Sequence, residues 1–355
     1  MKIVFLLPHV RISGGVKALL EYANRLQGMG HGVRLIVPGR KPKWYRPDLW
    51  LKTWAGGTSV LPPESVDWFY NRIPVETVPD FHPKFLPDAD VLVASSWQTA
   101  AAAASLPDSK GRKFYFIQHH ESLWTRDAEK ARRTYTLPFA KIVISTWLKE
   151  VLAQTYGQES QVFVTPVDRE LFDVGEKTWN RPRRICLLHH DYDWKGFADG
   201  IAAVRRVRER GLKATAVVFG EKAVDAEPIR RAAGFDVEYH YRPAGERLRS
   251  IYAGCDIYLC PSWHEGLGMP AMEAMACRCA LATTDTGGCR DYAIHGRTAL
   301  VSQPRDVEGL AKNLSALVSD ERLLRELSEN GYRKIQEFRW EDNCRELVRL
   351  FERSL

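Results

Sequence analysis

The sequence predicts an α/β protein made of two open parallel-sheet halves, on three observations. Short apolar runs alternate with stretches of helical period, in the order strand, helix, strand. The alternation breaks near Val164, in VTPVDRELFDVGEKTWNRPRR, where proline, glycine and a charge run suit a linker, and then restarts. The length of 355 residues is comfortable for two domains of ordinary size. Ligands of such sheets bind beyond the carboxyl ends of the strands, so two such sheets are expected to face a cleft.

The elements follow in order. Ile3 to Leu7 reads as a buried strand and RISGG, Arg11 to Gly15, as a turn. Val16, Leu19, Leu20, Ala23 and Leu26 then share one helical face, and Val33 to Val37 is the next strand. Lys41 to Pro87, rich in proline and tryptophan, is expected to be an insertion of loops on the face that meets substrate. Val91 to Ala94, Phe114 to Ile117 and Lys141 to Ser145 read as strands, and Thr146 to Tyr156 as a helix. Beyond the linker, Ile185 to Leu188, Thr215 to Phe219, Asp256 to Cys260 and Ala280 to Thr283 read as strands. Asp306 to Val318 and Glu321 to Glu337 read as helices. Trp340, Cys344, Leu347, Val348 and Phe351 form one face of a last helix that needs a partner surface. The expected domains are residues 1–165, 166–338 and a terminal helix over 339–355.

Composition narrows the class. Apolar residues make up 45% and charged residues 27%, as in a globular soluble protein. The opening MKIVFLL stops at Pro8, too short for a signal segment or a membrane span, so a cytoplasmic protein is expected. Seven cysteines suit reduced structural thiols, and no spacing completes a zinc site, so no metal is expected. Lysine and arginine total 51 against 44 acidic residues. The excess clusters at Arg181, Arg183 and Arg184, at Arg205, Arg206, Arg208 and Arg210, and at Arg230 and Arg231. Such clusters are either a solvated basic surface or an attraction for phosphates, an anionic acceptor or the inner membrane face. No nucleic-acid-binding signature is present.

The stretch HEGLGMPAMEAMA, His264 to Ala276, carries the chemistry. It follows the strand Asp256 to Cys260, and Pro270 places a helix start near Met269. Gly266 and Gly268 then lie just before a helix amino end, where free N–H groups and the helix dipole attract an anion. Glu265 and Glu273 are out of place beside an anion unless they accept hydroxyl groups. A diphosphate with a hydroxylated ring on each side satisfies both, which describes a nucleotide sugar. Glu265 would take sugar hydroxyls and Glu273 those of the ribose. The bland alternative is a surface loop before an amphipathic helix, with Met269, Met272 and Met275 on the core side.

PSWHEGLGMPAMEAMACRCALATTDTGGCRDY resembles the donor-site signature of retaining glycosyltransferases of the two-Rossmann (GT-B) architecture, family 4 in particular. It includes two glutamates at this spacing, the turn Gly266-Leu267-Gly268 and a later Gly287-Gly288 turn. PHVRISGGVKALLEYANRLQGMGHGV resembles the family's opening segment, whose Gly-Gly loop lies by the diphosphate and the acceptor; Gly14 and Gly15 match it. It is not the dinucleotide-binding glycine fingerprint, which argues against a dehydrogenase. DWKGFADGI resembles the family's Lys-Gly turn, in which Lys195 would neutralise the diphosphate. The family's arginine before this lysine is replaced here by His189 and His190, neither of which carries a guaranteed charge. FYFIQHHESLW resembles the segment carrying a histidine near the donor sugar, with His119 the first choice and His120 the second. This segment is also similar to a bacterial branch that includes rhamnosyltransferases.

The resemblance implies a retaining, metal-independent transfer of a sugar from a nucleoside diphosphate to an acceptor hydroxyl, in bacterial glycan, glycolipid or glycoconjugate biosynthesis. It implies no cofactor beyond the nucleotide-sugar substrate, and a last helix that crosses back to the N-terminal domain. The implied catalytic residues are His119, Lys195 and Glu265. The acceptor is a glycan, a lipid-linked glycan or a small molecule, its site shaped by Lys41 to Pro87 and Glu121 to Arg133. The segment Tyr239 to Arg242, read as a linker, is a candidate for the nucleobase contact. Two rivals remain: an epimerase or phosphorylase of the same fold, and a non-catalytic nucleotide-sugar binder.

Overall fold

The computed structural model describes residues 1–39, 58–222 and 226–355. The chain forms two compact units. The first comprises Met1–Ile144, Leu148–Phe163 and Glu341–Leu355, and the second Ser145–Trp147 and Val164–Trp340.

The first unit is built on one sheet. Its strands are β1 (Lys2–Leu6), β2 (Gly32–Pro38), β3 (Ser59–Leu61), β4 (Val75–Val78), β5 (Val91–Ala94), β6 (Arg112–Ile117), β7 (Ala140–Val143) and β8 (Gln161–Val162). They lie in the order β3-β4-β2-β1-β5-β6-β7-β8, parallel except for β3 against β4. The last four residues of β1, all of β5 and the last four residues of β6 are apolar and almost fully buried, as strands covered on both faces must be. The expected loop insertion over Lys41 to Pro87 is corrected in its described part: β3 and β4 extend the sheet there. Strands of three and four residues leave too little alternation to be read. Residues 41–57 of that insertion lie outside the described residues.

The terminal helix Trp340–Ser354 belongs to the first unit in all but its first residue, as the expected crossing back requires. Leu347 and Phe351 are fully buried, and the Phe351 ring meets that of Phe114 on β6 at 4.7 Å. Asn343 Nδ2 donates to the Tyr22 hydroxyl at 3.1 Å. Replacing Phe351 by alanine is expected to cost about 3–5 kcal/mol, the usual price of truncating a buried phenylalanine. Denaturant unfolding checks it, and a loss below about 1 kcal/mol would contradict this packing.

The second unit holds β9 (Arg183–His189), β10 (Ala214–Gly220), β11 (Val237–Tyr241), β12 (Ile257–Cys260), β13 (Ala280–Thr284) and β14 (Ala299–Ser302). All are parallel, in the order β11-β10-β9-β12-β13-β14. Ile185, Leu187, Val218 and Leu259 of the sheet pack with Val204, Leu314 and Leu317 of the flanking helices. The segment Tyr239 to Arg242 is corrected from linker to strand: Tyr239 lies within β11, paired with Val218.

The stretch read as a linker is also corrected, because it is fastened to the second unit. Asp168 caps the short helix Arg169–Phe172, and Phe172 is fully buried beside Tyr252. Lys177 Nζ donates to the carbonyls of Tyr252 and Cys277, near the carboxyl ends of two helices, where a cation is favoured. The charge run that reads as solvated is internally matched. Arg181 and Arg183 both bond Glu321, and Arg184 bonds Glu238 at 2.7 Å.

Candidate functional site

The sheet of the second unit reverses its strand order between β9 and β12. Chains leaving two such adjacent strands diverge and open a crevice at their carboxyl ends. The loops that follow β9 and β12 carry the residues of the site.

After β9 the chain makes one tight turn, Asp193–Lys195, and enters the helix Phe197–Glu209. Lys195 Nζ forms an ion pair with Glu265 Oε1 at 2.7 Å and lies 4.5 Å from the centre of the Trp194 ring. Ser262 Oγ donates to the same Glu265 oxygen at 2.8 Å. The Lys195 and Glu265 side chains are only 16% and 11% exposed. Two residues 70 apart in sequence, singled out separately, are thus in direct contact. The backbone fixes them: Trp263 N donates to Trp194 O at 2.7 Å and Glu265 N to Thr286 O at 2.9 Å.

The helix Met269–Ala276 starts where Pro270 predicts, with Gly268 as its N-cap at φ 88°. That left-handed backbone suits glycine, and an added Cβ would lie 2.7 Å from the Tyr292 hydroxyl. Tyr292 in turn donates to Leu267 O at 2.9 Å, holding the turn Gly266-Leu267-Gly268 from beneath. A small cavity is lined by Lys195, Ser262, Glu265, Gly268 and Pro270, so the ion pair and the helix start share one wall. Glu273 is not among the cavity's lining residues. It lies in the second helical turn, 4% exposed, and accepts from the Tyr252 hydroxyl at 3.4 Å. Met272 and Met275 are in the core as expected, whereas Met269 is only half-buried because it opens the helix.

His189 ends β9 and its ring packs on Phe197 at 4.6 Å. His190 stacks on Tyr192 at 4.6 Å, Tyr192 on Trp194 at 5.5 Å, and Trp194 on His264 at 4.7 Å. Burial lowers the pKa of His189, His190 and His264, and Lys195 lowers those of His190 and His264 further. All three are therefore neutral at pH 7. Sequence reading missed this four-ring stack, along with Ser262 and Tyr292. The only signal for the stack was the density of aromatic and histidine residues in HHDYDW.

In the first unit, Gly14 and Gly15 are not in a loop. They are the first residues of the helix Gly14–Gly28, capped by Ser13, whose Oγ accepts from Val16 N at 3.2 Å. The structure separates the two candidate histidines. His119 accepts from Trp124 Nε1 at 3.3 Å, while His120 bonds the Tyr156 hydroxyl at 2.8 Å and Ser122 Oγ at 3.0 Å. Next to them Glu121 Oε2 accepts from Trp97 N at 2.7 Å and from the Tyr115 hydroxyl at 3.1 Å. Burial raises the Glu121 carboxyl to about 7, against the pull of those two hydrogen bonds. Below the ordinary carboxylate range its proton is bound both folded and unfolded. From the ordinary carboxylate range up to about 7 the unfolded chain has released this proton while the folded protein keeps it, so stability falls over that window and levels off above it. Glu121→Gln keeps an acceptor and cannot ionise. It is expected to gain on wild type by roughly 1–3 kcal/mol between pH 5 and pH 8. Parallel stability profiles of the two proteins would refute this.

The basic clusters have partners in the fold. Arg206 and Arg210 bond Glu308, Arg205 bonds the carbonyls of Ala232 and Ala233, and Arg230 bonds that of Val237. All seven cysteines are buried free thiols. No helix among the described residues is long and apolar enough to cross a membrane.

Residues 168–334 match the family described as Glycosyl transferases group 1, and the site lies wholly within that span. The chain is 26% identical over 260 residues to the O-antigen biosynthesis protein RfbC of Myxococcus xanthus, covering 72% of this chain and 20% of that protein. It is 27% identical over 226 residues to the MMP alpha-(1->4)-mannosyltransferase of Mycolicibacterium hassiacum, covering 62% and 55%. The chain thus spans between a fifth and about half of these relatives' lengths. Among solved structures, sucrose-phosphate synthase from Thermosynechococcus elongatus superposes with a TM-score of 0.76 at 14% identity, covering 99% of this chain and 98% of that one. HepE from Anabaena in complex with UDP-glucose gives 0.78 at 16% identity, with 99% of each chain covered. The expected α/β fold of the GT-B class is therefore correct.

Proposed function

We propose that this GT-B protein is a glycosyltransferase that moves a sugar from a nucleoside diphosphate to an acceptor hydroxyl with retention of configuration. The observation that carries the reading is the contact of Lys195 with Glu265 beside the amino end of the helix Met269–Ala276. It joins a cation, a hydroxyl-accepting carboxylate and the positive end of a helix on one wall. Lys195 and the helix start receive the diphosphate, and stabilise it as charge develops on the leaving oxygen. Glu265 accepts hydroxyls of the donor sugar. The leaving phosphate, which gains basicity as the glycosidic bond breaks, takes the acceptor proton. Neither step calls for a metal.

Glu273 is assigned to the ribose. An unchanged affinity of Glu273→Ala for free nucleotide would remove it from that role. Gly14, Gly15 and His119 are assigned by resemblance alone. The group 1 match and the named relatives support a glycosyltransferase, and RfbC places one relative in O-antigen biosynthesis. A bacterial surface glycan, made from the cytoplasmic side, is the acceptor class we favour. Incubation with nucleotide sugars and product analysis by NMR tests the reaction. An α-linked product from an α-linked donor is expected. Interconversion of donors without an acceptor, or dependence on inorganic phosphate, would establish an epimerase or a phosphorylase instead.

A further inference from the structure

We infer that the Lys195–Glu265 ion pair is a return latch that makes the site favour the intact donor over the spent nucleoside diphosphate. This rests on the donor-site reading above. The Lys195 ammonium pairs with the Glu265 carboxylate at 2.7 Å and lies 4.5 Å from the centre of the Trp194 ring. The surrounding histidines His190 and His264 are neutral, for the reasons of burial given above. A diphosphate reaching Lys195 therefore draws the ammonium away from Glu265 and sets its own negative charge against that carboxylate. Both side chains are largely enclosed, so solvent screens this repulsion poorly.

The intact donor compensates within the same molecule. Its sugar hydroxyls donate to the Glu265 carboxylate and replace what Lys195 withdraws. Once the sugar has been transferred, those donors leave with it. Glu265 is then an enclosed carboxylate, its ammonium partner withdrawn, beside a diphosphate, a costly state. Recapture of Lys195 by Glu265 relieves it and expels the product. Ser262, which donates to Glu265 Oε1 at 2.8 Å, holds the carboxylate in place to make that recapture. Glu265 thus distinguishes substrate from product by charge compensation, besides contacting the sugar.

The test is the affinity of the purified protein for UDP, GDP, dTDP and ADP, and for the matching nucleotide sugars, by titration calorimetry. Wild type, Glu265→Gln, Glu265→Ala and Lys195→Ala are compared. The latch predicts that both Glu265 variants bind the free nucleoside diphosphate about tenfold or more tightly than wild type, while the preference for the intact donor collapses. Two independent replacements guard against a local misfolding of either. Lys195→Ala should weaken donor and product alike. If both Glu265 variants bind nucleoside diphosphate as wild type does, or more weakly, the latch is wrong and Glu265 serves only the sugar or the placement of Lys195. If wild type and Lys195→Ala bind no nucleotide differently, the donor-site reading fails and takes the latch with it.

Discussion

Lys195→Ala is expected to lower turnover by about 10²–10³-fold while leaving the fold intact, the usual effect of removing one preorganised charge-stabilising donor. The side chain is not part of the hydrophobic core. It is held at the rim of the sheet by one ion pair and one aromatic face, both directed at the site. The loop backbone survives its loss, since Lys195 N donates to Tyr192 O and Ser262 Oγ still serves Glu265. The loss should appear in both KM and kcat, because Lys195 holds the diphosphate of the bound donor and meets further charge as the bond breaks. Turnover within a factor of three of wild type, with an unaltered circular dichroism spectrum, would sink the role given to Lys195.

Gly288→Ala should be nearly as damaging by a different route. A Cβ at this position would lie 2.7 Å from Glu265 O and closer still to the Gly266 carbonyl. Both are backbone atoms, so no rotamer change makes room. Gly288 N also donates to Glu265 O at 3.2 Å, which ties this turn to the loop that aims the carboxylate. The substitution must displace that loop relative to Lys195. We expect at least about a hundredfold loss of activity and destabilisation on the order of 1–3 kcal/mol, as for overpacking of a tight site. A variant with wild-type activity and melting temperature would show that the Gly287–Gly288 turn does not set the position of Glu265.

Much of the second unit was legible because its strands are buried on both faces and read as unbroken apolar runs. IYLC and the opening ALA of β13 are of that kind, and Pro270 after two glycines marks a helix start. Glu265 and Lys195 were each found by their motifs. Their contact was not, because spacing along the chain says nothing about which loops of adjacent parallel strands converge. β11 was missed since VEYHY interleaves charge and aromatics on an edge strand, and hydrogen bonding to β10, not hydrophobic pattern, places it. The supposed linker misled for a related reason. Arg181, Arg183 and Arg184 look solvated until Glu321 and Glu238 are brought to them by the fold. His120 and Glu121 show the same limit: HHE offers three polar residues, and only tertiary packing encloses the last beside Tyr115 and Tyr135.

Both the transfer and the latch depend on binding of a nucleoside diphosphate by the second unit through Lys195. The most direct test is thermal stabilisation of wild type and Lys195→Ala by UDP, GDP, dTDP and ADP. A ligand at a hundred times its dissociation constant adds about 2.7 kcal/mol, a shift of several degrees. At least one nucleotide is expected to raise the midpoint of wild type and to shift the variant far less. No shift with any nucleotide, or equal shifts in both proteins, would contradict it.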